Sequence, residues 1–530
     1  MPNRAVPPKK LSRRDFVQVG ALGLGGLSIP SPPQQQGTHR PRFHITTKES
    51  FDPSHIPSYH GNHQSAYRYI DRHQEAHLAN IQRWLRQPSV SAQDIGVEEM
   101  AILVKDDLAS LGFSETTLVK TDGHPGVWGY YDAGAAKTLM VYMMYDVQPV
   151  DPNDWRVPPF DGALVNTELG SVLMARGATN EKGPERAFLN AVESIIAVEG
   201  TLPVNLMVTV EGEEELGSPH YPQIVDKYEE RLRSATGVFF PFNAQDSNGE
   251  VTLNLGVKGL LYFELEATGG PMGGPTRSEI HGSYKALVDS PVWRLVQALA
   301  TLTSRDGNAI AVRGYYNGVR PPSDEEQRLI NSVLENWDED TIRKSLGVQR
   351  WIDGMSGEEA ILSYLYDTTL NIDGIWAGYT GEGTKTILPH KATAKVDSRL
   401  PPNLRPDKAL DLIRRHLATH GFPDIEVRQL SGYPPSQTSV EAPFVRAAIG
   451  VFNKYGYPPA VWPRLAGSAP FYQFTERLGL PLVLGSLGHG SGAHAPDEYM
   501  VVTPKAGSTI AGLPQVEKAY ADMIYALGEV

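Results

Sequence analysis

The sequence predicts an α/β protein: a mixed, mainly parallel sheet interrupted by a smaller α+β segment. Three observations lead there. Two apolar runs, Leu139-Met-Val-Tyr-Met143 and Val204-Asn-Leu-Met-Val-Thr-Val210, read as buried strands separated by a helix that opens at Pro184. The runs lead into carboxylates, Asp146 and Glu211, and a parallel sheet gathers functional side chains at the carboxyl ends of its strands. From about Gly256 the pattern changes, with Leu261, Phe263 and Leu265 alternating against Tyr262, Glu264 and Glu266. That alternation suits an antiparallel strand covered on one face.

Along the chain, the first segment is basic: Lys9-Lys10-Leu-Ser12-Arg13-Arg14-Asp15-Phe16-Val17, then a Gly-rich apolar run to Ile29. An arginine pair before a short apolar stretch resembles a twin-arginine export signal. With its connector it takes up residues 1–36 and implies a periplasmic or secreted protein; the alternative is a disordered basic tail. No other run approaches the ~20 apolar residues that cross a bilayer, so no membrane span is expected in the mature form. Residues 37–255 form the first part of the main domain. Its helical stretch 65–84 places Ile70, Leu78, Ile81, Trp84 and Leu85 on one side. His73 and His77 there have the spacing of a helical metal pair, but no acidic residue completes a site, so they are expected on the surface. Residues 256–395 form the inserted domain, with a helix over 291–303 and a strand-like end from Thr393. Residues 396–530 return to the main domain through helices at 407–420 and 442–455, a strand at 481–484 and a terminal helix at 514–527.

A chain of 530 residues is long enough for two domains. Its formal charge of −13, with no basic run beyond the N-terminus, argues against nucleic acid as a partner. The absence of cysteine excludes disulfides, thiolate metal ligands and a cysteine nucleophile.

Motifs in a fixed order point to chemistry. They are Tyr145-Asp-Val-Gln-Pro149, Asp154-Trp-Arg-Val-Pro-Pro-Phe160, Ala175-Arg-Gly-Ala-Thr-Asn-Glu-Lys-Gly183 and Glu211-Gly-Glu-Glu-Glu-Leu-Gly-Ser218. Later come Lys385-Thr-Ile-Leu-Pro389, Asp397-Ser-Arg-Leu-Pro-Pro402, Arg464-Leu-Ala-Gly-Ser-Ala-Pro470 and Gly492-Ala-His-Ala-Pro-Asp-Glu498. Over roughly residues 65–527 the chain resembles the co-catalytic zinc peptidases, a family that includes carnosine dipeptidases, aminoacylases, succinyl-diaminopimelate desuccinylase and glutamate carboxypeptidases, and most of all their dipeptidase branch. The resemblance implies a zinc-peptidase-like catalytic domain carrying a lid domain through which two subunits pair.

It also implies roles. Asp146 matches the aspartate that orients a metal-bound histidine, Glu214 the general base, Glu215 a metal ligand and His494 the late ligand. His281, in Glu279-Ile-His-Gly-Ser283, resembles the lid histidine lent to the partner subunit's oxyanion. Arg399, Arg464 and Thr386 resemble the groups that hold a substrate carboxylate, a task suited to guanidinium forks. Other positions depart from the pattern. Met144 stands at the first histidine, Asn180 at the bridging aspartate, and around Val238-Phe-Phe-Pro-Phe-Asn-Ala244 the nearest polar residue to the second aspartate is Asn243. A thioether binds zinc poorly, and a neutral amide does not replace a shared anion.

The expectation is therefore an exported hydrolase acting on an amide-like bond in a small carboxylate-bearing substrate, a peptide or N-acyl amino acid. Its metal site is depleted: at most one zinc or other divalent ion, held by Glu215 and His494 with Asn180 or His489, or none. Two alternatives stay open: a metal-independent acid/base enzyme, and a non-catalytic periplasmic binding protein.

Overall fold

The computed structural model describes residues 40–530, and the twin-arginine-type segment at 1–36 lies outside them. Nine strands make the main sheet. At its centre Asn205–Glu211, Thr138–Met144, Gly237–Gln245 and Leu482–Ser491 run parallel. Every residue of Asn205–Glu211 is buried, as a strand covered on both faces requires. The flanks are antiparallel, with Glu115–Val119 and Gly126–Tyr131 on one side and Tyr499–Pro504, Gly170–Met174 and Ala163–Thr167 on the other. The expected parallel character thus holds for the four central strands, which carry the acidic motifs.

Strand alternation divides the core. Leu139, Val141 and Met143 pack with the helices Lys182–Glu199, Pro443–Lys454 and Leu513–Gly528. Met140, Tyr142 and Met144 point to the opposite face, into a cluster with Tyr221, Phe240, Phe471 and Phe474.

The second sheet is antiparallel, in the order Asn371–Ala377, Lys391–Leu400, Gly259–Thr268, Glu426–Tyr433. Leu261, Phe263 and Leu265 form its own apolar cluster with the helices Pro291–Leu302 and Pro406–Thr419. This sheet reaches beyond the boundary at 395 expected from the sequence. Gly259–Thr268 has two edges to satisfy, and Glu426–Tyr433 takes the second. A helix followed by a strand resembles main-domain alternation, and periodicity does not reveal which sheet a strand joins. Conversely, Asp324–Glu335 and Gly357–Tyr366 lie within the expected insert yet pack with Phe43, Ile45 and Trp462.

The N-terminal helical stretch breaks at His73 into Gln64–Arg72 and Gln74–Arg86. His77 is buried rather than on the surface, with Nδ1 2.7 Å from Glu517 Oε2. The partner carboxylate comes from the terminal helix, far away in sequence.

Candidate active site

Met144 and Glu211 are paired at the carboxyl ends of adjacent parallel strands. Beyond them, Asp146 is buried and organises the turn that carries the glutamates. Its carboxylate accepts Ser91 Oγ–H at 2.7 Å and the backbone N–H groups of Glu214 and Glu215, each at 3.1 Å. Burial pushes the Asp146 carboxyl up to about 7, with the charge of Glu215 adding to the rise and the hydrogen bonds opposing it. Glu211 sits behind the turn. Its Oε1 accepts from Tyr142 OH at 2.6 Å and Ser218 Oγ at 2.9 Å, and burial pushes it up to about 8.

Glu214 and Glu215 are arranged differently. Among the described residues the Glu214 side chain has no hydrogen-bond partner; desolvation first, then Glu215, Glu211 and Asp146, hold its proton affinity well above that of an ordinary carboxyl. Glu215 is fully engaged, with Oε1 accepting from Asn180 Nδ2 at 2.7 Å and Oε2 from Gln148 Nε2 at 2.8 Å. His494 Nε2 lies 3.1 Å from the same Oε2, and this hydrogen bond raises the pKa of the imidazole.

The remaining predicted residues divide. Met144 is buried in the apolar cluster. Asn243 turns to Thr179, donating to its Oγ1 at 3.1 Å, while the preceding Phe242 is the exposed side chain near that strand's end. His489 uses both ring nitrogens, one 2.9 Å from the Gln245 carbonyl and the other 3.3 Å from Tyr499 OH. His281 and Thr386 meet across a two-stranded ladder, Nε2 to Oγ1 at 3.4 Å, and their contacts among the described residues stay within it. Arg399 is partly exposed beside Asp397 at 3.2 Å. Arg464, expected to hold substrate, is instead buried, bonded to Glu326 and to Gln437 Oε1 at 2.8 Å, and lies 4.5 Å over the Tyr366 ring. The reason is the helix Asp324–Glu335, which brings Glu326 against it. Only Arg399 of the two arginines is left accessible.

The sequence assigned no role to Ser91, Gln148 or Glu181. Gln148 and Glu181 lie inside recognised motifs and could have been flagged there; Ser91, distant in the chain, carried no signal.

A carboxylate-lined turn at the carboxyl ends of parallel strands is where an open α/β sheet places its ligand or active site. The chain belongs to the peptidase family M20/M25/M40, whose sequence pattern matches residues 140–524. It is 26% identical over 476 residues to a Cys-Gly metallodipeptidase of Candida albicans, covering 83% of this chain and 94% of that one. It is 28% identical over 374 residues to the human β-Ala-His dipeptidase, covering 67% and 71%. Among solved structures, an M20 family metallo-carboxypeptidase from Sulfolobus solfataricus superposes with a TM-score of 0.76 at 33% identity, covering 86% of this chain and 99% of that one. Human carnosine dipeptidase 1 shares the fold, with a TM-score of 0.70 at 24% identity over 88% and 100% of the two chains.

The family implies a metal centre, and a pair of ions does not fit these residues. At the bridging position Asn180 aims an amide N–H, a donor, at Glu215. The thioether of Met144 and the neutral amide of Asn243 stand at two further ligand positions, and no three His, Cys, Asp or Glu side chains among the described residues converge as a cation site.

Proposed function

We propose that this protein is an exported hydrolase that cleaves an amide-like bond in a small, carboxylate-bearing substrate of the dipeptide or N-acyl amino acid kind, with a depleted metal site. The observation that carries the proposal is Glu214: a carboxyl with raised proton affinity and no hydrogen-bond partner among the described residues, held by a buried aspartate that grips its backbone. Such a group can take a proton from water and return it to a leaving amine. The relatives named as dipeptidases support the substrate class. Asp146 positions the turn, Arg399 and Thr386 meet the substrate carboxylate, and His281 serves the developing oxyanion of a partner subunit. Glu215 and His494, with Asn180, would hold at most one divalent ion, which when bound would polarise the scissile carbonyl. A metal-independent reaction on the same residues is favoured by one contact set: the Asn180 and Gln148 amides already occupy Glu215.

Pairing of two copies through the second sheet is supported by its outer strand, which exposes Ile372, Ile375 and Trp376, and by Trp293 on the adjoining helix. Light scattering for the dimer, and sequencing of the mature N-terminus for export, test those two parts.

The central experiment is metal content per chain by mass spectrometry, on protein purified without chelator and then given zinc or manganese, beside a hydrolysis screen of dipeptides and N-acyl amino acids. At most one ion is expected, lost on Glu215→Ala or His494→Ala. Two tightly held ions per chain would overturn the depleted site.

A further inference from the structure

We propose that a phosphate-sized oxyanion binds at the joint between the two sheets, in a pocket walled by Arg320, Ser436 and Gln437 and backed by the buried Arg464. None of these walls comes from the Glu214 turn, and occupancy of the pocket does not depend on the hydrolase function. Distant stretches of chain meet there. Ser436 and Gln437 pair with Val257 and Gly256, just before the strand Gly259–Thr268 begins. The Lys258 backbone N–H donates to the Leu465 carbonyl at 3.2 Å. Arg464 donates to Gln437 Oε1 at 2.8 Å and lies over the Tyr366 ring, and Arg320 reaches Glu326 at 2.8 Å.

Among the described residues the cations at this joint are short of carboxylates. Arg464 and Arg320 share Glu326. Asp367 is taken by Arg40 at 2.5 Å, so Lys258 Nζ has only the Asp367 backbone carbonyl, at 2.7 Å. Burial pushes the Lys258 amine down to about 7; Asp367 opposes this, while Arg464, Arg399 and Arg40 add to it. Donors are left over as well. Arg464 is 1% exposed, and its Nε and Nη1 have no partner among the described residues. Ser436 is 4% exposed and its Oγ is likewise unmet, yet the residue lines a cavity of about 180 Å³ with Arg320, Asn403, Gln437 and Thr475. Glu476, on the exposed rim, is occupied by Arg405 at 3.0 Å. Buried donors of this kind normally find an acceptor.

A cation does not suit walls already rich in positive charge, and an apolar group would leave the donors unmet. Water meets a donor but brings no charge to offset a guanidinium. A tetrahedral oxyanion offers acceptor oxygens to a guanidinium fork and a hydroxyl at once. The cavity is several times the ~30 Å³ that one water takes in the liquid, which leaves room for an ion of four oxygens. Bound there, the ion ties the strand Gly259–Thr268 to the main domain and stabilises the folded chain by mass action.

The test is calorimetric titration of inorganic phosphate into the full chain at pH 7 and constant ionic strength. One saturable site per chain is expected, with Kd of roughly 1 mM or tighter. Phosphate at about ten times that Kd should also raise the urea midpoint, and sodium chloride of equal ionic strength should not. Ser436→Asp sets a carboxylate on the wall and should weaken phosphate binding by about tenfold or more. Should that variant fail to fold by circular dichroism, Asn403→Asp on the exposed rim should still weaken it by about threefold or more. No saturable heat, as when water alone meets the donors, would overturn the site. So would a Kd unchanged in the folded variants, the mark of an adventitious ion only. Acetate bound more tightly than phosphate, and lost in the same variants, would assign the pocket to a carboxylate and overturn the choice of ion.

Discussion

Glu214→Gln is expected to lower turnover by roughly 10²–10⁴-fold, the range for loss of a positioned general base. Substrate affinity should change little, because glutamine keeps the side-chain shape and the backbone N–H that donates to Asp146 is untouched. The two quantities separate cleanly: kcat from progress curves, and Kd from calorimetry. A fall in kcat at constant Kd identifies Glu214 as the base. Equal turnover in variant and wild type would remove it from the chemistry. No turnover in either, with tight binding in both, would mark a ligand-capture protein that keeps the fold of a peptidase. The result also bears on metal use, since a base with raised proton affinity at Glu214 can act on an activated bond whether or not an ion sits at Glu215 and His494.

The second large effect is on stability. Glu326 accepts from Arg320 and Arg464, takes the Ser323 backbone N–H at 2.7 Å, and completes the capping box of the helix Asp324–Glu335. Glu326→Ala would leave the buried Arg464 charge without its anion, and breaking such a pair costs about 3–5 kcal/mol. The urea midpoint at pH 7 should fall accordingly, with the slope unchanged. A shift of under ~0.5 kcal/mol, as for an ordinary surface site, would show that the pair is solvent-compensated. The sign with pH is also fixed. Burial opposes charge at Glu326, but Arg320 and Arg464 outweigh it and hold the carboxyl below its ordinary 4.5. Its contribution is therefore present above pH 4.5 and is lost as pH falls through the lower folded value.

These two sites show how differently residues declare themselves. Glu214 was legible because its motif and its place after an apolar strand are local features, and a parallel sheet sends such positions to one edge. The same holds for Asp146, Glu215 and the substituted positions Met144 and Asn180, whose residue types are read directly from the motifs. Arg464 was misread because its motif says nothing of Glu326, which lies on a helix more than a hundred residues away and claims the guanidinium. That Asn243 turns to Thr179 while Phe242 is exposed is likewise set by strand alternation and packing rather than by its motif. Glu181 lay in plain view in a motif, but that no group among the described residues meets its buried Oε2 is a property of the packed interior.

The sequence by itself determined the α/β class, the family and the identity of the carboxylates, because periodicity and motif order are written in neighbouring residues. Only the tertiary structure decided which edge of Gly259–Thr268 the strand Glu426–Tyr433 would take, which charges are paired and which are left open. Hydrogen bonding and desolvation depend on groups brought together from distant parts of the chain, and no local pattern encodes them.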